Sequence, residues 1–93
     1  MRTIRHTTSF KRDYKRISKG IYRAAIDDLL KAVVVPLASD QQLPAKYKDH
    51  ALSGEWNDCR DCHVKPDLVL IYRKPDAQTI ELVRLGSHSE LSF

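Results

Sequence analysis

Apolar residues recur at steps of three and four positions in two stretches near the start of the chain, which is the spacing of a helix face. The first stretch predicts a helix that is capped by Thr8 or Ser9 and ends near Gly20. Its apolar stripe consists of Phe10, Tyr14, Ile17 and Ile21. The second predicts a helix that follows directly and kinks or stops at Pro36, with a stripe of Tyr22, Ala25, Ile26, Leu29, Leu30 and Val33. The two helices together predict a helical hairpin.

Four other runs have the character of strands, at residues 2–6, 58–64, 67–73 and 79–85. Short connections join the last three, which favours antiparallel neighbours. Residues 37–57 are polar and irregular, and a loop of this length in a small domain is usually functional. The predicted fold is a single α+β domain over residues 1–93 with the order β-α-α-β-β-β. In it, the two-helix hairpin packs on one face of a small antiparallel sheet.

Size and composition favour a small soluble domain without a deep pocket. The chain has 93 residues, of which 42% are hydrophobic and 30% charged, and a core of this size is modest. No apolar run is long enough to cross a membrane, and the first residues lack the apolar region of a signal peptide. We therefore expect a cytoplasmic protein with reduced cysteines and no membrane partner.

Positive charge is concentrated at the start of the chain. Residues 1–23 contain eight Lys and Arg residues against Asp13 alone, a net charge of +7, while the remainder carries −3. The basic row on the first helix consists of Lys11, Arg12, Lys15, Arg16 and Lys19. Segregated charge of this kind suits a polyanion or an acidic protein partner, although a plainly solvated helix face gives the same pattern.

The segment from Cys59 to His63 has the C-x-x-C-H spacing of a c-type haem attachment site. In a strand, however, Cys59 and Cys62 point to opposite faces, with their Cα atoms ~10 Å apart. That separation exceeds the ~7 Å limit for a disulfide. A zinc site would need His50, His63 or His88 to complete it. We expect two reduced thiols, no haem, no metal and no other cofactor.

Three of the four histidines occur in contexts that suggest placement: His50 follows Asp49, His63 shares a strand face with Asp61, and His88 follows Gly86-Ser87. Histidines, carboxylates, an arginine and a positive surface together suit metal-independent RNA cleavage. That reaction needs a base for the 2′-hydroxyl, an acid for the leaving 5′-oxygen and a cation for the transition state. Phe93 or Trp56 could stack on an exposed base.

Three stretches of this sequence resemble the YafQ branch of the RelE/ParE toxin superfamily. They are Tyr47 to Trp56, Arg60 to Tyr72 and Val83 to Phe93, and the similarity covers essentially the whole chain. The resemblance implies the RelE-like fold and the toxin of a type II toxin–antitoxin system. It further implies an endoribonuclease that cuts mRNA in the ribosomal A site. A DinJ/RelB-like ribbon-helix-helix antitoxin would neutralise it, so the partners would be this antitoxin, mRNA on the ribosome and ribosomal RNA.

The resemblance also assigns roles residue by residue. The implied active site consists of His50, His63, Asp67, Arg84, His88 and Phe93. His88 and His50 would be the acid–base pair, with His63 and Asp67 as base or orienting partners. Arg84 would hold the phosphate, Phe93 would stack on a base, and Asp61 would be an auxiliary carboxylate. Two positions depart from the branch: Leu68 replaces a frequent tryptophan, and Ser92 separates Leu91 from Phe93.

Two alternatives remain open at this point. One is a ParE-like toxin that acts on a protein target without cleaving RNA, and the other is a small RNA-binding module. The basic row would hold ribosomal RNA, an acidic segment of the antitoxin, or each in turn. We expect a monomer when the toxin is free and a hetero-oligomer with the antitoxin.

Overall fold

The computed structural model describes residues 1–91, which form one five-stranded sheet and three helices. The strands are β1 (Thr3–His6), β2 (His50–Ala51), β3 (Arg60–Lys65), β4 (Leu68–Asp76) and β5 (Thr79–Gly86). The helices are α1 (Thr8–Ile17), α2 (Ile26–Ala38) and α3 (His88–Leu91), with 3-10 turns at Ala45–Tyr47 and Gly54–Trp56. The predicted α+β fold is confirmed, and β2 and α3 are added to the predicted order.

The sheet has the strand order β1-β5-β4-β3-β2. Strands β3, β4 and β5 pair antiparallel, as their short connections predict, and the added strand β2 also pairs antiparallel with β3. Strand β1, in contrast, lies parallel to β5, with Thr3 opposite Thr79. The sheet is therefore mostly rather than wholly antiparallel.

Two apolar clusters cover the two faces of the sheet. Residues of α1 and α2, including Phe10, Val33 and Leu37, pack with one face, and a smaller cluster that contains Val69 and Leu91 covers the other. Every residue from 68 to 72 is buried, since β4 is central and covered on both sides. Each fully buried apolar side chain of this size contributes about 1.5–3 kcal/mol.

The cysteines lie on opposite faces, as strand alternation predicts. Cys59 belongs to the smaller cluster and Cys62 to the helix-side core, and both are free thiols. Burial raises the pKa of Cys59 to about 11 and raises the pKa of Cys62 as well. Both groups are therefore neutral small residues at physiological pH, and their placement does not suit a C-x-x-C-H haem site.

The first helix is shorter than the apolar stripe predicts. Its cap is Thr7 rather than Thr8 or Ser9, because the Thr7 side chain accepts a hydrogen bond from the backbone N–H of Phe10. The helix ends at Ile17, well before Gly20, and Ile21 is 87% exposed. Ile21 therefore does not extend the buried stripe.

The second helix begins at Ile26, after a turn, rather than directly after the first. It continues through Pro36 to Ala38, although the sequence predicts a kink or a stop at the proline. Leu37 and Ala38 are buried in the core, and the backbone N–H of Ser39 bonds to the carbonyl of Val35. Packing of the last turn outweighs the one backbone bond that the proline removes. No helix in residues 1–91 is long and apolar enough to cross a membrane.

Candidate active site

The candidate active site is centred on Asp61, the second residue of β3. Across the sheet, Asp61 lies opposite His50 of β2 on one side and Ile71 of β4 on the other. His63, two residues further along β3, lies opposite Val69, which in turn lies opposite Gly86 at the end of β5. Since opposed residues share a face, the sheet register brings residues from three separate parts of the chain together.

The Asp61 side chain is fully buried, at 0% exposure, and neither of its carboxylate oxygens accepts a hydrogen bond from residues 1–91. Burial raises the pKa of this carboxyl, while positive charge on His50, His63 or His88 would lower it. An ionised carboxylate at this position is costly unless a cation lies beside it. Asp61 therefore favours a proton, or another cation, on the groups around it.

His50 approaches Asp61 from the edge strand. Its Nδ1 lies 3.1 Å from Oδ1 of Asp61 and 2.7 Å from the carbonyl oxygen of Lys48. Lys48 has a left-handed backbone with φ 50°, which turns its carbonyl toward the ring. If the Nδ1–H of His50 donates to this carbonyl, Asp61 receives no hydrogen bond from His50. Nε2 of His50 is then available for proton transfer.

A polar contact between the loop and the sheet fixes the approach of His50. The Tyr72 hydroxyl donates to Oδ1 of Asp49 over 2.6 Å, and Nε of Arg60 lies 3.2 Å from the same oxygen. Burial and the bond to Asp49 raise the pKa of the Tyr72 hydroxyl, so the hydroxyl remains a donor at physiological pH. The residue before His50 is thereby held to the central strand β4.

His63 and His88 form a close pair of rings, with centroids 5.1 Å apart and planes inclined by 57°. Burial lowers the pKa of His63, Asp61 opposes this effect, and the neighbouring His88 adds to it. Two imidazoles this close disfavour a second proton. The pair is therefore suited to hold one neutral and one protonated ring.

Helix α3 presents His88 through a reciprocal cap. The backbone N–H of Glu90 donates to the Ser87 hydroxyl, and the backbone N–H of Ser87 donates to Oε1 of Glu90. Arg16 of α1 pairs with Glu90 over 3.2 Å. A Cβ atom on Gly86 would lie 3.0 Å from Glu90 Oε1, so glycine allows this close approach. The spacing Ser-x-x-Glu from Ser87 to Glu90 is the sequence signal for such a cap.

Arg84 is bound by the buried carboxylate of Asp13, the one acidic residue in the basic segment 1–23. Asp13 of α1 is 3% exposed and accepts bonds from Arg84 Nε at 2.7 Å, Arg16 Nη1 at 3.0 Å and the Leu85 N–H at 3.0 Å. Burial alone would raise the pKa of Asp13, but these bonds outweigh it and hold the pKa below its usual value. No local pattern marks a partner 71 residues away.

The pairing of β5 with β4 is irregular next to Arg84, and this irregularity changes the direction of the Arg84 side chain. Arg84 lies opposite Ile71, whereas Leu82 lies opposite Tyr72, so Val83 is one extra residue in β5. The Arg84 side chain is 28% exposed, which leaves part of it at the surface. Arg84 is thus in the same cross-sheet row as Ile71, Asp61 and His50, with its guanidinium fixed by Asp13.

The remaining predicted residues fall in different places. Asp67 is exposed in the turn between β3 and β4 and accepts a hydrogen bond from the hydroxyl of Tyr22. Its neighbour Leu68 is buried in the helix-side core, where it has no surface for stacking on a base. Phe93 lies outside the described residues.

The basic row is exposed, and its members have different surroundings. Lys19 lies in a turn beyond α1 rather than on the helix, because α1 ends at Ile17. Lys11 and Lys15 border an apolar groove of about 730 Å³ between β1, α1 and α2, whose floor includes Phe10, Leu30 and Val34. Arg16 is instead engaged with Asp13 and Glu90. Arg12 and Lys19 line a shallow surface with Lys15 and Arg16.

The fold and the site together define a small α+β protein with a histidine and carboxylate cluster on one face of its sheet. Residues 2–93 match the family described as "Bacterial toxin of type II toxin-antitoxin system, YafQ". The chain belongs to this family, which confirms the resemblance inferred from its motifs. It is therefore a toxin of a type II toxin–antitoxin system.

Similar proteins agree with this assignment. The chain is 36% identical over 90 residues to the "mRNA interferase toxin YafQ" of Escherichia coli K12, covering 97% of this chain and 95% of that protein. A metal-bound toxin from Helicobacter pylori is 48% identical, with a TM-score of 0.86 and coverage of 98% and 99%. YafQ in the E. coli DinJ-YafQ complex is 35% identical, with a TM-score of 0.82 and coverage of 98% of each chain.

Proposed function

We propose that this toxin is an endoribonuclease that cleaves mRNA in the ribosomal A site by metal-independent acid–base catalysis. The observation that supports this most strongly is the pair of rings of His63 and His88 beside the buried Asp61. The name "mRNA interferase toxin" of the E. coli relative agrees with the proposal. Such a substrate is present in the cytoplasm, which is where we propose that the toxin acts.

In the proposed reaction, neutral His63 removes the proton of the RNA 2′-hydroxyl, because its lowered pKa favours the neutral ring. The 2′-oxygen then attacks the adjacent phosphorus, and the bond from phosphorus to the 5′-oxygen breaks. Protonated His88 gives its proton to that leaving oxygen. The products are a 2′,3′-cyclic phosphate and a 5′-hydroxyl, and the carboxylate of Asp61 stabilises the protonated rings.

The other predicted residues take supporting roles in this proposal. The guanidinium of Arg84, fixed by Asp13, would stabilise negative charge on the phosphate. His50 would donate or accept a proton through Nε2, or orient the phosphate, while Asp67 would position the substrate at the edge of the site. Phe93 remains the predicted stacking residue.

The observed cluster favours cleavage over the two alternatives without catalysis. A toxin that only binds a protein, or a module that only binds RNA, does not need two imidazoles beside a buried carboxylate. Neither oxygen of this carboxylate accepts a hydrogen bond from residues 1–91. Such a carboxylate costs stability, which is typical of a functional site rather than of a structural one.

Alanine substitutions of His63 and His88 test this proposal, with His6→Ala as the matched control. His6 is exposed and stacks near Phe10, apart from the cluster. In a reconstituted translation reaction, each site variant should cleave ribosome-bound mRNA at least ~100-fold more slowly, since general acid–base catalysis contributes that much or more. The control should cleave normally, and undiminished cleavage by both site variants would contradict the proposal.

We also propose that an antitoxin of the DinJ/RelB-like ribbon-helix-helix type inhibits this toxin. The E. coli relative forms the DinJ-YafQ complex. On this chain, the apolar groove between α1 and α2 is bordered by Lys11, Lys15 and Lys31, which suits an amphipathic segment with acidic residues along its edges. The exposed residues of the basic row would otherwise hold ribosomal RNA through its phosphates.

A charge reversal at the groove tests the antitoxin surface. The variant Lys11→Glu/Lys15→Glu should bind the cognate antitoxin more weakly, by about ten-fold or more, with a reduced dependence on salt. Arg23→Glu, an exposed change of the same sign outside the groove, is the control. Equal affinities for the two variants would rule out this groove as the docking surface.

A further inference from the structure

A polar cavity of about 440 Å³ borders His63, one of the two rings of the candidate site. The turn before β2 and the end of β3 supply most of its lining, which includes Lys46, Tyr47, Lys48, Lys65 and Pro66. Its volume falls within the range of small-ligand sites, roughly 300–1,000 Å³. The base of the proposed reaction therefore has a cavity of ligand size next to it.

The cavity lies where β2 leaves part of the edge of β3 uncovered. Strand β2 pairs with Arg60 and Asp61, and the edge of β3 beyond them has no partner strand in residues 1–91. The 3-10 turn Ala45–Tyr47 packs beside β3 instead. The pairing of β3 with β4 also shifts between His63 and Lys65, which bends the strand next to the cavity. The backbone itself therefore forms this space.

Positive charge surrounds the cavity. Lys46, Lys48 and Lys65 are exposed, and no acidic residue is among the residues of 1–91 that line it. None of the three ammonium groups pairs with a carboxylate in the described part of the chain. Arg73 and Lys74, in contrast, each form an ion pair. Three ammonium groups without acidic partners around one cavity favour an anionic ligand.

Tyr47 adds an aromatic surface to this charge. The residue is half-buried and packs against the helix-side core, which fixes the position of its ring. Nζ of Lys46 lies 5.1 Å from the ring centroid, so a cation and an aromatic ring are available at the same place. Basic groups beside a ring on which a base can stack are typical of sites for single-stranded nucleic acid.

The position of His63 indicates which nucleotide would enter the cavity. His63 lines the cavity and contacts His88, whereas His88 is not among the lining residues. In the proposed reaction, His63 takes the proton of the 2′-hydroxyl, which belongs to the nucleotide on the 5′ side of the cut. His88 protonates the leaving oxygen on the 3′ side. The cavity therefore lies on the 5′ side of the scissile phosphate.

We propose that this cavity binds the mRNA nucleotide on the 5′ side of the cut, with Lys46 and Lys65 on its phosphate and Tyr47 against its base. The assignment rests on the proposed function, because it uses the role of His63. The cavity would thereby select the base at this position. Its charge also reaches the catalytic ring, since burial is the main cause of the lowered pKa of His63 and Lys48 adds to it.

Binding is measured without cleavage, by nuclear magnetic resonance titration of the intact toxin with a short RNA whose 2′-oxygens are methylated. The amide signals of Lys46, Tyr47 and Lys65 should shift. Lys46→Gln/Lys65→Gln should weaken binding at least about ten-fold at 0.1 M salt, and the slope of log affinity against log salt should fall by about 0.7 per lysine.

The matched control is Arg5→Gln/Lys31→Gln, which removes the same charge from exposed positions outside the cavity. It should bind this RNA at least about five-fold more tightly than the cavity variant. Equal weakening by the two pairs, or signal shifts confined to other surfaces, would overturn the proposal.

The choice of cleavage site tests the 5′ assignment. A reconstituted translation reaction would contain mRNAs randomised around the cut, and the new ends would be sequenced. Tyr47→Leu should change the ratio of cleavage after purines to cleavage after pyrimidines by about three-fold or more, a part of what stacking on a base contributes. The preference on the 3′ side should stay the same. An unchanged preference on the 5′ side in this variant, shown to be folded by circular dichroism, would overturn the proposal.

The remaining outcomes separate other occupants of the cavity. Weaker binding of Lys46→Gln/Lys65→Gln to ribosomes without mRNA would place ribosomal RNA in the cavity and overturn the assignment to mRNA. Weaker binding of the antitoxin with unchanged binding of RNA would place an acidic peptide there and would also overturn it. A toxin that cleaved no mRNA would instead contradict the proposed function, and the titration with methylated RNA would still decide whether the cavity binds a nucleotide.

Discussion

Replacement of Asp13 by asparagine should destabilise the fold and disturb the site, because Asp13 joins α1 to Arg84 and to the end of β5. The carboxylate is buried and accepts bonds from Arg84, Arg16 and the backbone of Leu85. The amide retains one acceptor oxygen but loses the charge and turns an N–H₂ group toward donors.

The expected cost is about 2–4 kcal/mol in free energy of unfolding. Removal of one partner from a buried ion pair costs about 3–5 kcal/mol. We take a lower range because the side chains of Arg84 and Arg16 are 28% and 46% exposed, so water screens part of the lost interaction. For a domain of this size, about 3 kcal/mol corresponds to a fall in Tm of about 12–24 °C.

The effect should depend on pH in a defined direction. The pKa of Asp13 is lowered in the folded protein. The stabilising contribution of the Asp13 carboxylate is therefore present above its unfolded pKa near 3.8. It is lost as the pH falls through the lower pKa of the folded state. In urea denaturation, the free energies of unfolding of the wild type and of Asp13→Asn should show their full difference at pH 7 and should converge in strong acid.

Asp28→Asn is the matched control for this substitution, because Asp28 is an exposed carboxylate on α2. We expect it to change stability by less than about 1 kcal/mol. The reasoning would be refuted if Asp13→Asn were as stable as this control at pH 7. It would also be refuted if the difference persisted unchanged at low pH.

Three further predictions concern the supports of the site. Asp61→Asn should raise the free energy of unfolding at pH 7 by about 1 kcal/mol, since it removes a buried charge. The pKa of Asp61 is raised in the folded state, so its stabilising contribution is present below pH 3.8 and lost as the pH rises through the folded value. The stabilisation by Asp61→Asn should therefore vanish in acid. A lower free energy of unfolding for Asp61→Asn than for the wild type at pH 7, measured by urea denaturation, would contradict this prediction. Tyr72→Phe should cost about 1–2 kcal/mol in thermal melts, because Asp49 loses its 2.6 Å donor, and hydrogen exchange of the loop before β2 should become faster. Ser87→Ala removes one half of the reciprocal cap with Glu90, so it should lower the cleavage rate while reducing stability by only about 1 kcal/mol. An unchanged cleavage rate would show that the cap does not position the site.

Local patterns in the sequence were sufficient to predict most of the fold. The apolar stripes identified α1 and α2, and the run from Leu68 to Tyr72 identified the central strand, because periodicity reports which faces are buried. The patterns did not reveal that β1 pairs parallel with β5, since nothing local specifies the neighbour of an edge strand. The end of α1 was also misplaced, because Ile21 continues the spacing of the stripe but lies in a turn.

The candidate site was predictable only in part. Strand alternation correctly placed Asp61 with His63, and the contexts of the histidines singled out the residues that the fold brings together. The support of Arg84 by Asp13 depends on a contact between residues 71 positions apart, and no spacing within either segment indicates it. The position of His88, in contrast, has a local signal, because the Ser-x-x-Glu spacing from Ser87 to Glu90 predicts the cap that presents this histidine.

The measurement that tests the central claim most directly is an analysis of the RNA ends that the toxin produces. Chelator-treated protein would be mixed with ribosome-bound mRNA in a single-turnover reaction, and the new ends of the RNA would be identified by mass spectrometry. Catalysis by His63 and His88 predicts a 2′,3′-cyclic phosphate, or its opened form, and a 5′-hydroxyl, formed at the full rate without transition metal. Ends with a 3′-hydroxyl and a 5′-phosphate, or cleavage only after a metal is restored, would contradict the account.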